Sequence, residues 1–403
     1  MDQHSTFHIP HSTFTMRICF ITVGDTSRLT GGYLYHREVF ARLRVSGAIV
    51  DEVVASAADV AAQLAAAPGL GERITPRRYD VLLVDALARA AVAPWLDAWR
   101  ASRPLVAMVH ELPSVASGQQ DSRELEWESP LLRADWLIAV SRHGAGILTG
   151  RGVPRERIMV APGGYDRLEP APLTPQPPLP PGERGSRTAF QCRVLPPAAC
   201  RLPAPNSPGG GWAGGEGDPG LRALCVAQWI PRKGIVELVR AWGRAARPGD
   251  VLELVGEPNA DPAYAAEVRA SIAATGARVA VRGAVGDAEL AAAYAGADLF
   301  ALPTRYEGYG MAFAEALAHG LPVVSCAVGP LPDLVGPDAG LLTPAGDEAA
   351  LAEAISRLLG DPALRARMAA AARARAADLP TWDHTSDRVA NALGAAIIGR
   401  NRK

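Results

Sequence analysis

The sequence predicts an α/β fold of two doubly wound parallel-sheet domains facing each other across a cleft. Three observations predict it. Short apolar runs alternate with Ala-rich, helix-prone stretches, the pattern of a parallel sheet covered by helices. The runs are continuous in Val, Ile and Leu, as in strands buried on both faces. A Pro/Gly-rich segment separates two such stretches: 12 prolines and 9 glycines fall among the 50 residues 171–220.

The elements follow in order. Residues 1–15 repeat His-Ser-Thr-Phe (His4 to Phe7 and His11 to Phe14) and show neither helical nor strand period. They also lack the basic start and long apolar run of a signal peptide. They read as a disordered N-terminal extension, with no scaffold to turn their histidines into a metal site. Met16 opens the first domain, residues 16–170, with strands expected at 17–23, 49–55, 80–85, 104–110, 136–140 and 157–161. Residues 171–220 bury too little apolar surface to offset their ordering entropy. They read as a disordered insertion or linker, the alternative being a polyproline segment for a partner. The second domain, residues 221–380, has strands expected at 223–229, 251–256, 278–282, 298–303 and 322–326, then a long helical region from Glu348 to Ala377. Pro380 interrupts that helix. A last helix within 381–403 is expected to cross back to the first domain. Ligands of such sheets sit at the carboxyl ends of the strands, which places the site in the cleft.

Composition excludes several classes of function. The chain has 403 residues, 48% hydrophobic and 21% charged. Lys and Arg number 41 against 42 Asp and Glu, a net charge of −1. Nucleic-acid binding through bulk positive charge is therefore not expected. No apolar run approaches the roughly 18 residues that span a bilayer. The five cysteines form neither a CxxC motif nor an even framework. A reducing, cytoplasmic setting without structural zinc is the expectation. Trp95, Leu96 and Trp99 lie close to Arg100 and Arg103. They read either as an interfacial helix peripheral to the inner membrane face or as core packing.

Four loops carry chemistry. Gly31 and Gly32 precede a helix, where free N–H groups hold an anion; a simple tight turn is the plain alternative. The run Arg305-Tyr-Glu-Gly-Tyr-Gly-Met-Ala-Phe-Ala-Glu315 follows a strand and enters a helix near Met311. Glu307 lies on its loop and Glu315 about one turn into the helix. The two carboxylates can contact different parts of one extended ligand, or they merely decorate a capped surface helix. Arg232 and Lys233 end the Trp229-Ile-Pro-Arg-Lys-Gly234 loop, where cations neutralise a diphosphate or sit solvated in a turn. His110 ends a buried strand and points at the cleft, although such a histidine is more often structural. His319 reads as structural.

Together these loops resemble the retaining family 4 glycosyltransferases of the GT-B fold, which have two Rossmann-like domains. The resemblance rests on an ordered set: the Gly-Gly loop, Val140-Ser-Arg142, Val160-Ala-Pro-Gly-Gly-Tyr-Asp166, Arg232-Lys-Gly234, Leu254-Val-Gly256, Arg282-Gly-Ala-Val285, Asp298-Leu-Phe-Ala-Leu-Pro303, the Glu307 to Glu315 motif and Gly320-Leu-Pro-Val-Val324. It covers about residues 16–170 and 221–395. It implies transfer of a sugar from a nucleotide-diphosphate sugar, with retention and without metal or other cofactor, to an acceptor held by the first domain. Glu315 would contact the ribose, Glu307 the donor sugar, and the backbone of Gly308, Tyr309, Gly310 and Met311 the sugar and phosphate. Lys233 would neutralise the diphosphate, and Gly283 to Val285 would lie near the base. His110 would face the sugar, and Gly31 and Gly32 the phosphates. Glu307, His110 and Lys233 are thus the implied catalytic residues. The acceptor, the sugar and the base are not implied.

Two positions depart from the family pattern. Gln228 stands where the family carries an Arg five residues before the phosphate Lys, and Gly163 replaces an Asn. A sugar-nucleotide epimerase of the same architecture and a degenerate binding or scaffold subunit are the rival readings.

Overall fold

Parallel pairing in each half of the chain builds one six-stranded sheet. The structure, a computed structural model, describes residues 15–26, 30–55, 59–116, 122–166 and 220–401. The first sheet contains β1 (Arg17–Val23), β2 (Ile49–Ala55), β3 (Val81–Asp85), β4 (Leu105–Val109), β5 (Trp136–Ala139) and β6 (Ile158–Val160), in the order β2-β1-β3-β4-β5-β6. The second contains β7 (Arg222–Val226), β8 (Val251–Val255), β9 (Val279–Gly283), β10 (Leu299–Leu302), β11 (Val323–Cys326) and β12 (Gly340–Thr343), in the order β12-β11-β10-β7-β8-β9. These are two Rossmann-like domains of the GT-B type.

The registers show why continuous apolar runs mark these strands. Phe20 pairs with Leu83, Leu83 with Val106 and Val106 with Trp136. Helices cover both faces, so β3 and β4 are buried along their whole length. Each sheet reverses its strand order once, between β1 and β3 and between β7 and β10. Such a switch point opens a crevice at the carboxyl ends of the strands. The loops after β1, β4, β7 and β10 are those singled out from the sequence.

The helix Trp382–Asn401 follows the second sheet in the chain but packs on the first. Val389, Ala392, Leu393 and Ala396 join an apolar cluster with Phe20, Tyr35, Phe40, Val106 and Ile138. Thr385 Oγ1 donates to the Pro162 carbonyl at 2.7 Å, and Tyr165 N donates to the Pro380 carbonyl at 2.8 Å. The two crossings between the halves are thereby tied together.

The structure departs from the sequence expectations in several places. β12 was not anticipated. The helical region after Glu348 is two helices, Glu348–Gly360 and Pro362–Ala376. Asp361 breaks them and caps the second, accepting from Leu364 N at 2.8 Å. β7 stops at Val226, and Trp229 is buried in the loop beyond it. Leu96 and Trp99 belong to the core and Trp95 packs against it, which is the core-packing alternative for this stretch. Leu96 and Trp99 are 1% and 4% exposed, and Trp95 stacks on Trp99 while its Nε1 donates to the Ala67 carbonyl at 2.8 Å. Arg103 Nε is spent on the Tyr79 carbonyl. Among the described residues no helix is long and apolar enough to cross a membrane. The disorder expected for residues 1–15 and 171–220 falls outside the described residues, apart from Thr15 and Gly220.

Candidate functional site

β7 and β10 are neighbours, so the loops leaving them run side by side. Gly234 ends the β7 loop at φ +67° and opens the helix Ile235–Ala245. A Cβ at Gly234 would lie 2.4 Å from the Pro303 carbonyl oxygen, so only glycine lets the two loops close up. Arg305 N then donates to the Arg232 carbonyl at 2.8 Å. This contact delivers Lys233 to Glu307, and Lys233 Nζ donates to Glu307 Oε1. Both side chains are largely withdrawn from solvent, where a charge-assisted hydrogen bond is stronger than in water.

Beyond Glu307 the chain enters the helix Met311–Ala318 through Gly310, whose φ of +102° favours glycine. The first N–H groups of this helix have no intrahelical acceptor and attract an anion. Glu315 lies on its second turn. Burial pushes the Glu315 carboxyl up to about 7, against a hydrogen bond from Tyr294 that lowers it. His319 caps the helix and stacks on Tyr294, 5.3 Å between ring centroids, a structural role.

The first domain supplies the facing wall. Thr30 caps the helix Gly31–Val45. A Cβ at Gly31 would approach Met311 Cγ to 3.4 Å, and one at Gly32 would lie 3.9 Å from His110 Cδ2. His110 sits one residue beyond β4. Its carbonyl oxygen would lie 2.2 Å from a Cβ at Gly308, so the two walls touch there backbone to backbone. Gly31, Gly32, His110, Lys233, Glu307, Gly308 and Met311 therefore converge on one cleft. Gly283, at φ +70°, and Val285 stand at the end of the edge strand β9, two strands from β7. Tyr309 packs with Met311 against the first domain's core. Glu111, Leu112, His143 and Tyr306 continue the cleft beside His110 and Gly308 as a narrow, partly open crevice.

Both departures from the family pattern have a visible setting. Gln228 Nε2 donates to Glu257 Oε2 at 3.0 Å. Arg232 Nη1 donates to the Tyr306 carbonyl at 2.9 Å and stands 3.7 Å from Glu111 Oε2 of the first domain. Gly163 makes room for the opposite wall, because a Cβ there would lie 2.3 Å from Met311 Sδ and 3.1 Å from the Tyr309 ring.

Sequence reasoning missed two residues behind His110. His36 Nε2 lies 2.8 Å from His110 Nε2, and Asp85 Oδ2 lies 3.7 Å from His36 Nε2. Asp85 also accepts from Thr22 Oγ1 at 2.8 Å and Leu87 N at 2.9 Å. Burial lowers the His110 imidazole to about 4 and holds His36 well below the usual range, helped there by His110. Burial raises Asp85 to about 6. Two signals could have found them. Asp85 closes a fully buried strand at its carboxyl end, and His36 follows Gly31 by little more than one helical turn.

Comparison with known proteins agrees with this fold. A model described as Glycosyltransferase Family 4 matches residues 31–167, and one described as Glycosyl transferases group 1 matches residues 220–361. The chain is 33% identical over 178 residues to a GDP-mannose-dependent monoacylated alpha-(1-6)-phosphatidylinositol monomannoside mannosyltransferase of Corynebacterium glutamicum, covering 42% of this chain and 46% of the relative. It is 30% identical over 323 residues to a D-inositol 3-phosphate glycosyltransferase of Salinispora arenicola, covering 75% of this chain and 66% of the relative. The chain thus spans between about half and two thirds of these relatives' lengths. The solved sucrose-phosphate synthase of Thermosynechococcus elongatus superposes with a TM-score of 0.72 at 23% identity, covering 93% of this chain and 98% of that one. With matched models spanning most of both domains and the glycine-lined cleft between them, the chain belongs to the family 4 glycosyltransferases of the GT-B fold.

Proposed function

We propose that the chain transfers a sugar from a nucleotide-diphosphate sugar to an acceptor, with retention of anomeric configuration. One observation carries the reading: Lys233 pairs with Glu307 on the second domain, and the neighbouring Gly308 and Met311 abut His110 and Gly31 of the first. A diphosphate needs cations and N–H donors, which Lys233 and the start of the helix Met311–Ala318 offer. A hexose hydroxyl needs a fixed acceptor, which Glu307 offers. In this reading, which follows the family resemblance, Glu315 takes the ribose, Gly283 and Val285 lie near the base, His110 faces the sugar, and the acceptor uses the first domain. The name of the Corynebacterium relative, a GDP-mannose-dependent enzyme, supports a nucleotide-sugar donor.

In the proposed step the bond from the sugar C1 to the diphosphate oxygen breaks. The acceptor oxygen bonds to C1 on the same face, and its proton passes to the departing diphosphate. Lys233 and the backbone amides stabilise the charge that develops there, already oriented before reaction. The reading is metal-independent, so turnover should be unchanged in a chelator.

A thermal-shift screen over UDP-, GDP-, ADP- and dTDP-sugars identifies the donor, and proton NMR of the product reads its anomeric configuration. Retention is expected and inversion contradicts the mechanism. Glu307→Ala and Lys233→Ala should each lower turnover by about 10²–10³-fold. Wild-type rates in both variants reject the site.

A further inference from the structure

Two neutral imidazoles joined through their Nε2 atoms hold one hydrogen between them. One ring donates, and the other keeps its own hydrogen on Nδ1. His36 and His110 are such a pair, 2.8 Å apart, and burial keeps both rings neutral near pH 7. The surroundings decide the direction. His36 packs edge-on to Phe20 at 4.6 Å and lies stacked on Phe40 at 5.7 Å. Its Nδ1 is buried without a hydrogen-bond partner. If His110 donated, His36 would carry its hydrogen on that Nδ1, and a buried N–H without an acceptor is rare and costly. The Asp85 carboxylate, 3.7 Å from His36 Nε2, attracts the hydrogen to the opposite nitrogen. Thr22 and Leu87 hold the carboxylate in place. The separation also argues against a bound cation, since each Nε2 would then have to turn a lone pair on the ion instead of sharing one hydrogen.

We infer that Asp85 and His36 are positioning residues that set the tautomer of His110: His36 donates from Nε2, and His110 is left with its hydrogen on Nδ1. That hydrogen becomes a fixed donor for a ligand hydroxyl in the cleft. The functional half of this inference rests on the reading that His110 meets the sugar, whereas the tautomer itself does not.

Long-range proton–nitrogen NMR of the full chain labelled in histidine reads the tautomers directly. The signals are assigned with His36→Gln and His110→Gln. Wild type should show His36 protonated at Nε2 and His110 at Nδ1. In His36→Phe the His110 signal should change to the Nε2-protonated pattern, and kcat should fall about 10- to 100-fold. The donor KM should move less than about twofold. His36→Gln keeps an N–H donor and should recover most of kcat. His110 protonated at Nε2 in wild type would overturn the inference. So would equal losses in the Phe and Gln variants, or ring-nitrogen shifts tracking a stoichiometric metal, which would make the trio a cation site. Wild-type turnover in His110→Phe would overturn the contact between His110 and the ligand, while the spectrum of the wild type still decides the tautomer.

Discussion

Glu315 shows how one buried side chain couples folding to pH. Burial raises its pKa from 4.5 to about 7. A carboxyl with a raised folded-state pKa prefers its proton in the folded chain. Its contribution to stability is therefore complete below the unfolded value and is lost as pH rises through the folded one. Glu315→Gln removes this loss. The variant should melt above wild type at pH 8, and the difference should shrink through about pH 7 to 4.5 and vanish below about pH 4, where the carboxyl is protonated folded and unfolded. Thermal melts at the two pH values check it, and a pH-independent difference contradicts it. Glu315 was legible as half of a two-glutamate motif. Its protonation was not, because burial beside Tyr294 comes from tertiary packing.

At the scale of elements, the helix Trp382–Asn401 tests how the halves are built. It closes one face of the first sheet with side chains from the far end of the chain. Leu393 is fully buried in that cluster. Leu393→Ala should cost about 2–5 kcal/mol. Urea unfolding should show the loss in the transition of the first domain, and an unchanged midpoint there would contradict the packing. Most strands were readable to within three residues because they are buried on both faces and need no alternation. β12 was missed because Gly340–Thr343 is four residues long and offers only Leu-Leu as an apolar run. The break at Asp361 carried a readable signal, an Asp-Pro pair at a helix start, which the surrounding alanines masked. His36 and Asp85 escaped because nothing local in the sequence pairs a helix residue with the end of β3.

For the whole molecule, the contact between Gly308 and the His110 carbonyl means that the two domains meet backbone to backbone. The ion pair of Arg232 with Glu111 spans the same gap but is partly exposed, so it contributes little. Glycine at position 308 is what permits the approach. Gly308→Val should hold the walls apart, increase the radius of gyration in small-angle scattering and lower turnover by about 10²-fold, because small displacements of reacting groups are costly. An unchanged radius with full activity would show that the contact is dispensable. Gly163 repeats the logic on the other side of the cleft, where a missing side chain admits Met311 and Tyr309. Sequence reading found these glycines as loop residues. Which wall each one faces depends on how two separately folded sheets dock.

The central claim is that this cleft clasps a nucleoside diphosphate through Lys233 and the amides at the start of the helix Met311–Ala318. Calorimetric titration of the wild-type chain with UDP, GDP, ADP and dTDP, repeated on Lys233→Ala, measures it directly. The account predicts saturable binding of at least one diphosphate, weakened about 10- to 100-fold in the variant, the equivalent of one charge-assisted hydrogen bond. Absence of binding by all four, or equal affinity in the variant, would contradict it.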